Sequence, residues 1–204
     1  MTKRLFITGT DTEVGKTVIS ASLVFGLKAS YWKPIQAGLP ADTDWIRQVT
    51  GFAEPFFHPE RYRLRDACSP HLAARNEGLS ISLDDFELPQ VDQGQPLVVE
   101  GCGGIFVPIN ERGDLLIDLI EKFRLPTLIV CRSTLGTLNH TLLTIDTLKR
   151  AGIPLAGVVM NGPKQPENRR AIERFGALPV LGEIERQTRL DQTSLHLIYQ
   201  GLSL

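Results

Sequence analysis

The stretch Gly9-Thr10-Asp11-Thr12-Glu13-Val14-Gly15-Lys16-Thr17 follows a short apolar run, Leu5-Phe6-Ile7, and leads into Val18-Ile19-Ser20-Ala21-Ser22-Leu23-Val24. A buried strand passing through a glycine loop and a Lys-Thr pair into a helix is built to bind phosphate. Backbone N–H groups and the positive helix end face the anion, Lys16 reaches terminal phosphates, and the Thr17 hydroxyl suits Mg2+. The general pattern puts four residues between its first glycine and the Gly-Lys pair. Here five lie between Gly9 and Gly15. The competing reading is a glycine turn that merely joins strand to helix. The position of Gly-Lys-Thr at that junction favours the phosphate loop.

Little in the composition points elsewhere. The 204 residues can bury one sizeable core. With 22 Lys and Arg against 23 Asp and Glu, the near-neutral balance gives no broad attraction to nucleic acid or an anionic membrane. Cys68, Cys102 and Cys131 form no CxxC pair, which suits reduced thiols in the cytoplasm. Met1-Thr2-Lys3-Arg4 precedes only three apolar residues before the first glycine, too few for a signal peptide. No apolar run approaches membrane-spanning length.

Apolar runs and helical spacing alternate along the chain. Strands are expected at Leu5–Thr8, Tyr31–Pro34, Leu97–Glu100, Thr127–Cys131, Leu155–Met160 and Leu178–Leu181. Helices are expected from Thr17 to about Leu27, at Asp44–Val49, from Ser69-Pro70 to Gly78, at Leu115–Phe123, at Leu138–Arg150 and at Pro166–Arg174. Pro34–Pro40 reads as a loop, the region of Pro55, Pro59 and Tyr62 as irregular, and Gly101–Gly104 as a tight turn. Ser69 is placed to cap its helix and Pro70 to begin it. Such alternation predicts one α/β domain over residues 1–204, with a mainly parallel sheet and helices on both faces. Ligands of such sheets bind beyond the carboxyl ends of the strands.

The loops there carry Lys16, Thr17, Lys33 and Glu100. A carboxylate ending an apolar strand beside a phosphate loop suits Mg2+, directly or through water. Two lysines on one site repel each other, so they call for a strongly anionic partner; Lys33 as a plain surface lysine is the alternative. Asp42 and Asp44 are equally placed for helix capping or for metal binding. His71 and His140 have weak claims as catalysts. Cys102 reads as a small apolar residue with no base near it in sequence.

Together the motifs resemble the dethiobiotin synthase family of P-loop NTPase-like enzymes. The resemblance rests on Gly9–Thr17, Lys33-Pro34, Ser69-Pro70-His71, Val99–Gly104, Leu135–His140 and Gly182-Glu183-Ile184. It accounts for the extra residue after Gly9. It implies ATP-dependent closure of a ureido ring on 7,8-diaminononanoate with CO2 or bicarbonate, by way of a carbamate and a carbamic-phosphoric anhydride. By this resemblance Lys16, Lys33 and Thr12 act on carbamate and phosphoryl group. Thr17, Asp44 and Glu100 hold Mg2+. Glu13, Val14, Gly15, Val18, Gly101, Cys102, Gly103, Gly162 and Glu185 join them in binding the nucleotide, and Asn161 reads its base. Ala37 falls in the substrate site, and Gly136, Thr137, Leu138 and Asn139 receive the substrate carboxylate at a helix N-terminus. In the family that helix comes from a neighbouring subunit, which implies a homodimer.

Two departures stand out. Ala37 replaces a common Ser or Thr, removing a hydroxyl contact to substrate. Glu185 stands where the family usually has Pro. The rival reading is a nucleotide-switch ATPase of the partitioning or metallochaperone type, which shares loop and sheet. Such proteins usually carry a membrane-targeting helix, a His/Cys metal cluster or a basic DNA-binding surface, and none is evident here.

Overall fold

A computed structural model describes residues 4–204, so the reading of the first three residues falls outside it. In chain order the elements are β1 (Arg4–Gly9), α1 (Lys16–Leu27), β2 (Ser30–Trp32), β3 (Ile35–Ala37), α2 (Asp42–Thr50), β4 (Phe57–His58) and β5 (Tyr62–Leu64). There follow α3 (Pro70–Asn76), β6 (Leu97–Gly104), α4 (Leu116–Phe123), β7 (Thr127–Arg132), α5 (Thr137–Arg150), β8 (Leu155–Asn161), α6 (Pro166–Gly176), β9 (Val180–Ile184) and α7 (Gln192–Gln200). Seven strands pair in the order β4-β2-β6-β1-β7-β8-β9, every pairing parallel.

Parallel pairing demands crossovers, and the helices that supply them cover both faces. Side chains alternate along β1 accordingly. Leu5 and Ile7 point into a layer with Ile19 and Leu23 of α1, Ile46 of α2 and Leu195 of α7. Phe6 points into the opposite layer with Leu119 of α4, Leu148 of α5 and Ile172 of α6. From β1 the chain runs to β2 and β4, returns to insert β6 beside β1, then proceeds outward through β7, β8 and β9. That reversal leaves the loops after β1, β2 and β6 crowded at one end of the sheet, the topological switch point where such folds bind ligands.

Four expectations need correction. Gly101–Gly104 is not a tight turn: β6 runs on to Gly104, which pairs with Gly9. The glycines permit close approach instead. A Cβ on Gly101 would sit 3.0 Å from both Leu116 and Phe6, and one on Gly104 would sit 3.4 Å from the Thr10 carbonyl. Second, Ile35–Ala37, read as loop, pairs in parallel with Tyr62–Leu64, read as irregular, forming a small sheet of their own. Strands of three residues carry too little pattern to be seen. Third, Ser69 makes no side-chain capping bond to α3, although Pro70 does begin it. Fourth, the last strand is Val180–Ile184, shifted toward the C-terminus from Leu178–Leu181.

Helix α7 has no counterpart among the elements expected from the sequence. Its start is nonetheless marked by reciprocal capping: Asp191 accepts from Ser194 N at 3.0 Å, and Ser194 Oγ accepts from Asp191 N at 2.8 Å. Leu195 and Ile198 pack it against α1, where Gly26 leaves room for the Tyr199 ring. Among the described residues no helix is long and apolar enough to cross a membrane.

Candidate active site

The loop between β1 and α1 is held by contacts that explain its composition. Gly15 adopts φ +100°, and a Cβ there would lie 2.1 Å from Asn161 Nδ2. That close approach lets Asn161 donate to the Val14 carbonyl at 2.9 Å. On the other side, Arg132 at the end of β7 donates to Asp11 Oδ2 at 2.9 Å and to the Thr12 carbonyl at 2.8 Å. Those two residues lie in the lengthened part of the loop, so Arg132 stabilises the surplus segment. Its guanidinium and the Thr12 N–H hold the Asp11 carboxyl below the usual carboxylate range. Lys16 Nζ donates to the Asp11 carbonyl at 3.0 Å. Burial lowers its pKa, the Glu100 charge works the other way, and Lys33 adds to the lowering.

Glu100 is the hub. It is fully buried on β6, and three donors reach it: Thr17 Oγ1 at 3.1 Å and Lys33 Nζ at 3.0 Å on Oε1, and Tyr31 OH at 3.0 Å on Oε2. Lys33, just past β2, also pairs with Asp42 at the start of α2. Burial alone pulls the Lys33 ammonium down, but Glu100 and Asp42 together outweigh it, and its pKa stands well above the ordinary lysine value. Lys33 is therefore charged and immobilised between two carboxylates.

These groups border a cleft of about 690 Å³, within the size range of small-molecule sites. Of the residues expected from the sequence, Thr12, Glu13, Gly15, Lys16, Thr17, Val18, Lys33, Ala37, Glu100, Cys102 and Gly103 line it. Val14 and Gly101 do not: Val14 is packed into the core beneath the loop, and Gly101 faces Phe6 and Leu116. Asn161 touches the loop from behind. Gly162 packs on Ser133, and Glu185 is exposed. Neither borders the cleft. Gly136, Thr137, Leu138 and Asn139, at the start of α5 beside a fully exposed Leu135, do not line it.

Asp44 is the residue most at odds with its expected place. It lies on the outer side of α2, half exposed, paired with Arg63 and 4.0 Å from Arg47. Asp42 occupies the cleft in its stead. In a helix a two-residue step turns the side chain about 200° around the axis, so only one of the two aspartates can face the site. Since Thr43, Ile46 and Thr50 form the buried face of α2, the direction of Asp42 follows from packing rather than from charge. Gln36, Ser69 and Pro70 also line the cleft. Gln36 binds the Gly38 carbonyl at 2.8 Å and accepts from Asp42 N at 3.1 Å, tying the loop after β3 to the helix that carries Asp42. Its position one residue before Ala37 is the only sequence signal for it.

The family profile described as an AAA domain matches residues 3–194. The ATP-dependent dethiobiotin synthetase BioD of Paramagnetospirillum magneticum is 51% identical over 181 residues, covering 89% of this chain and 87% of that protein. The BioD of Rhodopseudomonas palustris strain HaA2 is 42% identical over 98% of this chain and 93% of its own length. The chain belongs to the dethiobiotin synthetase family. Among solved structures, a ParA family ATPase from Chlorobium tepidum superposes with a TM-score of 0.59 at 14% identity, over 98% of this chain and 90% of that one. The septum site-determining protein MinD from Pyrococcus horikoshii, complexed with Mg-ADP, superposes with a TM-score of 0.55 at 14% identity, over 99% of this chain and 87% of that one. At such identity the likeness concerns the P-loop NTPase fold alone.

As a dethiobiotin synthetase family member, the chain can be tested for fit to Mg2+ from its donor set. Two carboxylates, Asp42 and Glu100, meet the Thr17 hydroxyl at the phosphate loop, and both carboxylates already neutralise a cation, the Lys33 ammonium. Among the described residues no group of three or more His, Cys, Asp or Glu side chains is placed to hold a metal. Hard oxygen donors too few to enclose an ion suit Mg2+, which completes its sphere with water and substrate phosphates. The residues fit.

Proposed function

We propose that this chain is an ATP-dependent dethiobiotin synthetase, a ligase of biotin biosynthesis that closes a ureido ring on 7,8-diaminononanoate. One amine adds to CO2 and loses a proton to give a carbamate. A carbamate oxygen takes the γ-phosphoryl group from ATP, releasing ADP. The second amine attacks the carbonyl carbon of the mixed anhydride, loses its proton, and expels phosphate. The observation that carries this reading is the pair of buried ammonium groups, Lys16 and Lys33, on one cleft at a lengthened phosphate loop. Lys16 donates to a backbone carbonyl, not to a carboxylate, so its charge is available to an anion.

Lys16 would lie between the phosphates and the carbamate, with Thr12 holding the carbamate. Lys33 would stabilise charge developing on the transferring phosphoryl group. Thr17, Asp42 and Glu100, in preference to Asp44, would hold Mg2+, whose charge screens the phosphates when bound. The backbone from Glu13 to Val18 would surround the phosphates, with Asn161, Gly162 and Glu185 toward the nucleotide base. Gly101, Cys102 and Gly103 would wall the phosphate side. Ala37 would face the substrate without a hydroxyl to offer. The absence of residues 136–139 from the lining of their own cleft, together with exposed Leu135 and Leu143, supports a homodimer in which each copy offers the α5 start to the other's cleft. In this reading residues 1–204 act as one ATP-binding domain in the cytoplasm. A nucleotide switch, the rival, draws on the fold likeness alone.

The test is phosphate release from ATP with diaminononanoate and bicarbonate supplied singly and together, with the product identified by mass. Release that requires both supports the synthetase. ATP turnover indifferent to the diamine overturns it.

A further inference from the structure

Glu100 presents its two oxygens to different surroundings. Oε1 meets Thr17 Oγ1 of the phosphate loop and Lys33 Nζ, while Oε2 takes the hydroxyl of Tyr31 at 3.0 Å. Tyr31 and Glu100 are both wholly buried. Tyr31 lies on β2 two residues before Lys33, which follows the strand, and both side chains reach the Glu100 carboxylate. Its ring is held by the apolar layer, edge-on to Phe57 with centroids 6.4 Å apart. The hydroxyl is thus supplied from a rigid base and can reach one acceptor only by keeping Glu100 in a single rotation.

We propose that Tyr31 is the positioning residue that fixes the plane of the Glu100 carboxylate, so that one oxygen faces the metal and phosphate side of the cleft while the other is held by the Tyr31 hydroxyl. Without the Tyr31 hydroxyl the inward oxygen would be unpaired at this depth, and the carboxylate plane would be free to turn away from Thr17 and Lys33. The Tyr31 hydroxyl satisfies the inward oxygen and removes that freedom. Outer-sphere donors of this kind commonly alter metal affinity by about 10–100-fold when lost. This inference rests on the assignment of Glu100 as a Mg2+ ligand.

The experiment compares the full-length protein with its Tyr31→Phe variant, which keeps the ring and drops the donor. Mn2+ binding in the presence of ADP is read by electron paramagnetic resonance, and ADP binding without metal by calorimetry. The expected result is Mn2+ binding weakened about 10-fold, with metal-free ADP binding unchanged. Placing 4-aminophenylalanine at position 31, which restores a donor on the same ring, is expected to recover most of the loss. Should the Phe variant not fold, 4-fluorophenylalanine at that position fills the space without an O–H and takes its place. Mn2+ binding within twofold of wild type in the donor-less variant overturns the proposal. So does an equal loss of metal-free ADP binding, which would mark a general structural defect. Because no readout uses ring closure, failure here is separable from failure of the synthetase reading, which diamine-dependent phosphate release tests by itself.

Discussion

Lys33 Nζ lies 3.0 Å from Glu100 Oε1, joining the residue just past β2 to the middle of the neighbouring strand β6 with both side chains almost wholly removed from water. Either charge alone at that depth would be costly, so the pair must be kept or lost together. Lys33→Ala is expected to reduce diamine-dependent phosphate release by at least about 100-fold, the scale of losing one preorganised charge at a transition state. It also strands two carboxylates and is expected to cost about 3–5 kcal/mol in urea unfolding. Adding Glu100→Gln should recover part of the stability and none of the turnover. Turnover within a few-fold of wild type in Lys33→Ala would remove the lysine from the mechanism.

Asp42 and Asp44 are separable by their positions on α2. Asp42→Asn is expected to raise the Mg2+ needed for half-maximal turnover by about 10-fold or more. Asp44→Asn removes an exposed pair with Arg63 and should cost no more than about 1 kcal/mol, with the Mg2+ requirement unmoved. Mg2+ titrations of both variants decide between them. A shift confined to the Asp44 variant would restore the reading made from sequence.

Gly15→Ala tests the close approach between loop and β8. The added methyl would meet Asn161 Nδ2 at 2.1 Å in a backbone with φ +100°, a conformation costing L-residues about 1–2 kcal/mol. Nucleotide affinity should fall about 10-fold, since that free energy is drawn from the loop itself. Calorimetry with ADP measures it, and circular dichroism should show the sheet unaltered.

The contact between α1 and α7 offers a test of fold rather than site. A Cβ on Gly26 would fall 2.1 Å from the Tyr199 ring, so Gly26→Ala is expected to destabilise by about 1–3 kcal/mol. Tyr199→Ala should relieve the clash, making the double variant more stable than the sum of single effects predicts. Additivity within about 0.5 kcal/mol in chemical unfolding would mean that the two residues do not meet.

His58, on the edge strand β4, has a buried Nε2 with no hydrogen-bond partner among the described residues. Burial lowers its pKa, with Glu54 opposing the shift. The folded chain therefore holds this proton less tightly than the unfolded one. The resulting stability is present above the unfolded value of about 6.5 and is lost as the pH falls through and below it. His58→Gln should show a smaller drop in urea midpoint than wild type between pH 7.5 and about 5.5. Identical pH profiles for the two proteins would show that His58 does not contribute.

The sequence by itself determined the phosphate loop, the central strands and the helices that follow them, because each is written in adjacent residues. A buried parallel strand needs a run of apolar side chains, as at Thr127–Cys131, and an amphipathic helix needs its spacing, as at Leu115–Phe123. Lys16, Thr17, Lys33 and Glu100 were legible since each closes or follows an apolar strand run, and a parallel sheet gathers such segments at one end. Other features depend on contacts between residues far apart in the chain, and these only the tertiary structure decided. The small β3–β5 sheet and the run of β6 through Gly104 depend on what lies alongside them. The choice of Asp42 over Asp44 came from the packing of Thr43 and Ile46, which set the rotation of α2. The division of the Glu100 oxygens between Tyr31 and the Thr17–Lys33 pair required side chains from β2, β6, the residue just past β2 and the start of α1 to meet at one buried carboxylate. No local pattern records such a meeting, because its energy arises only when burial removes the solvent that would otherwise satisfy each group separately.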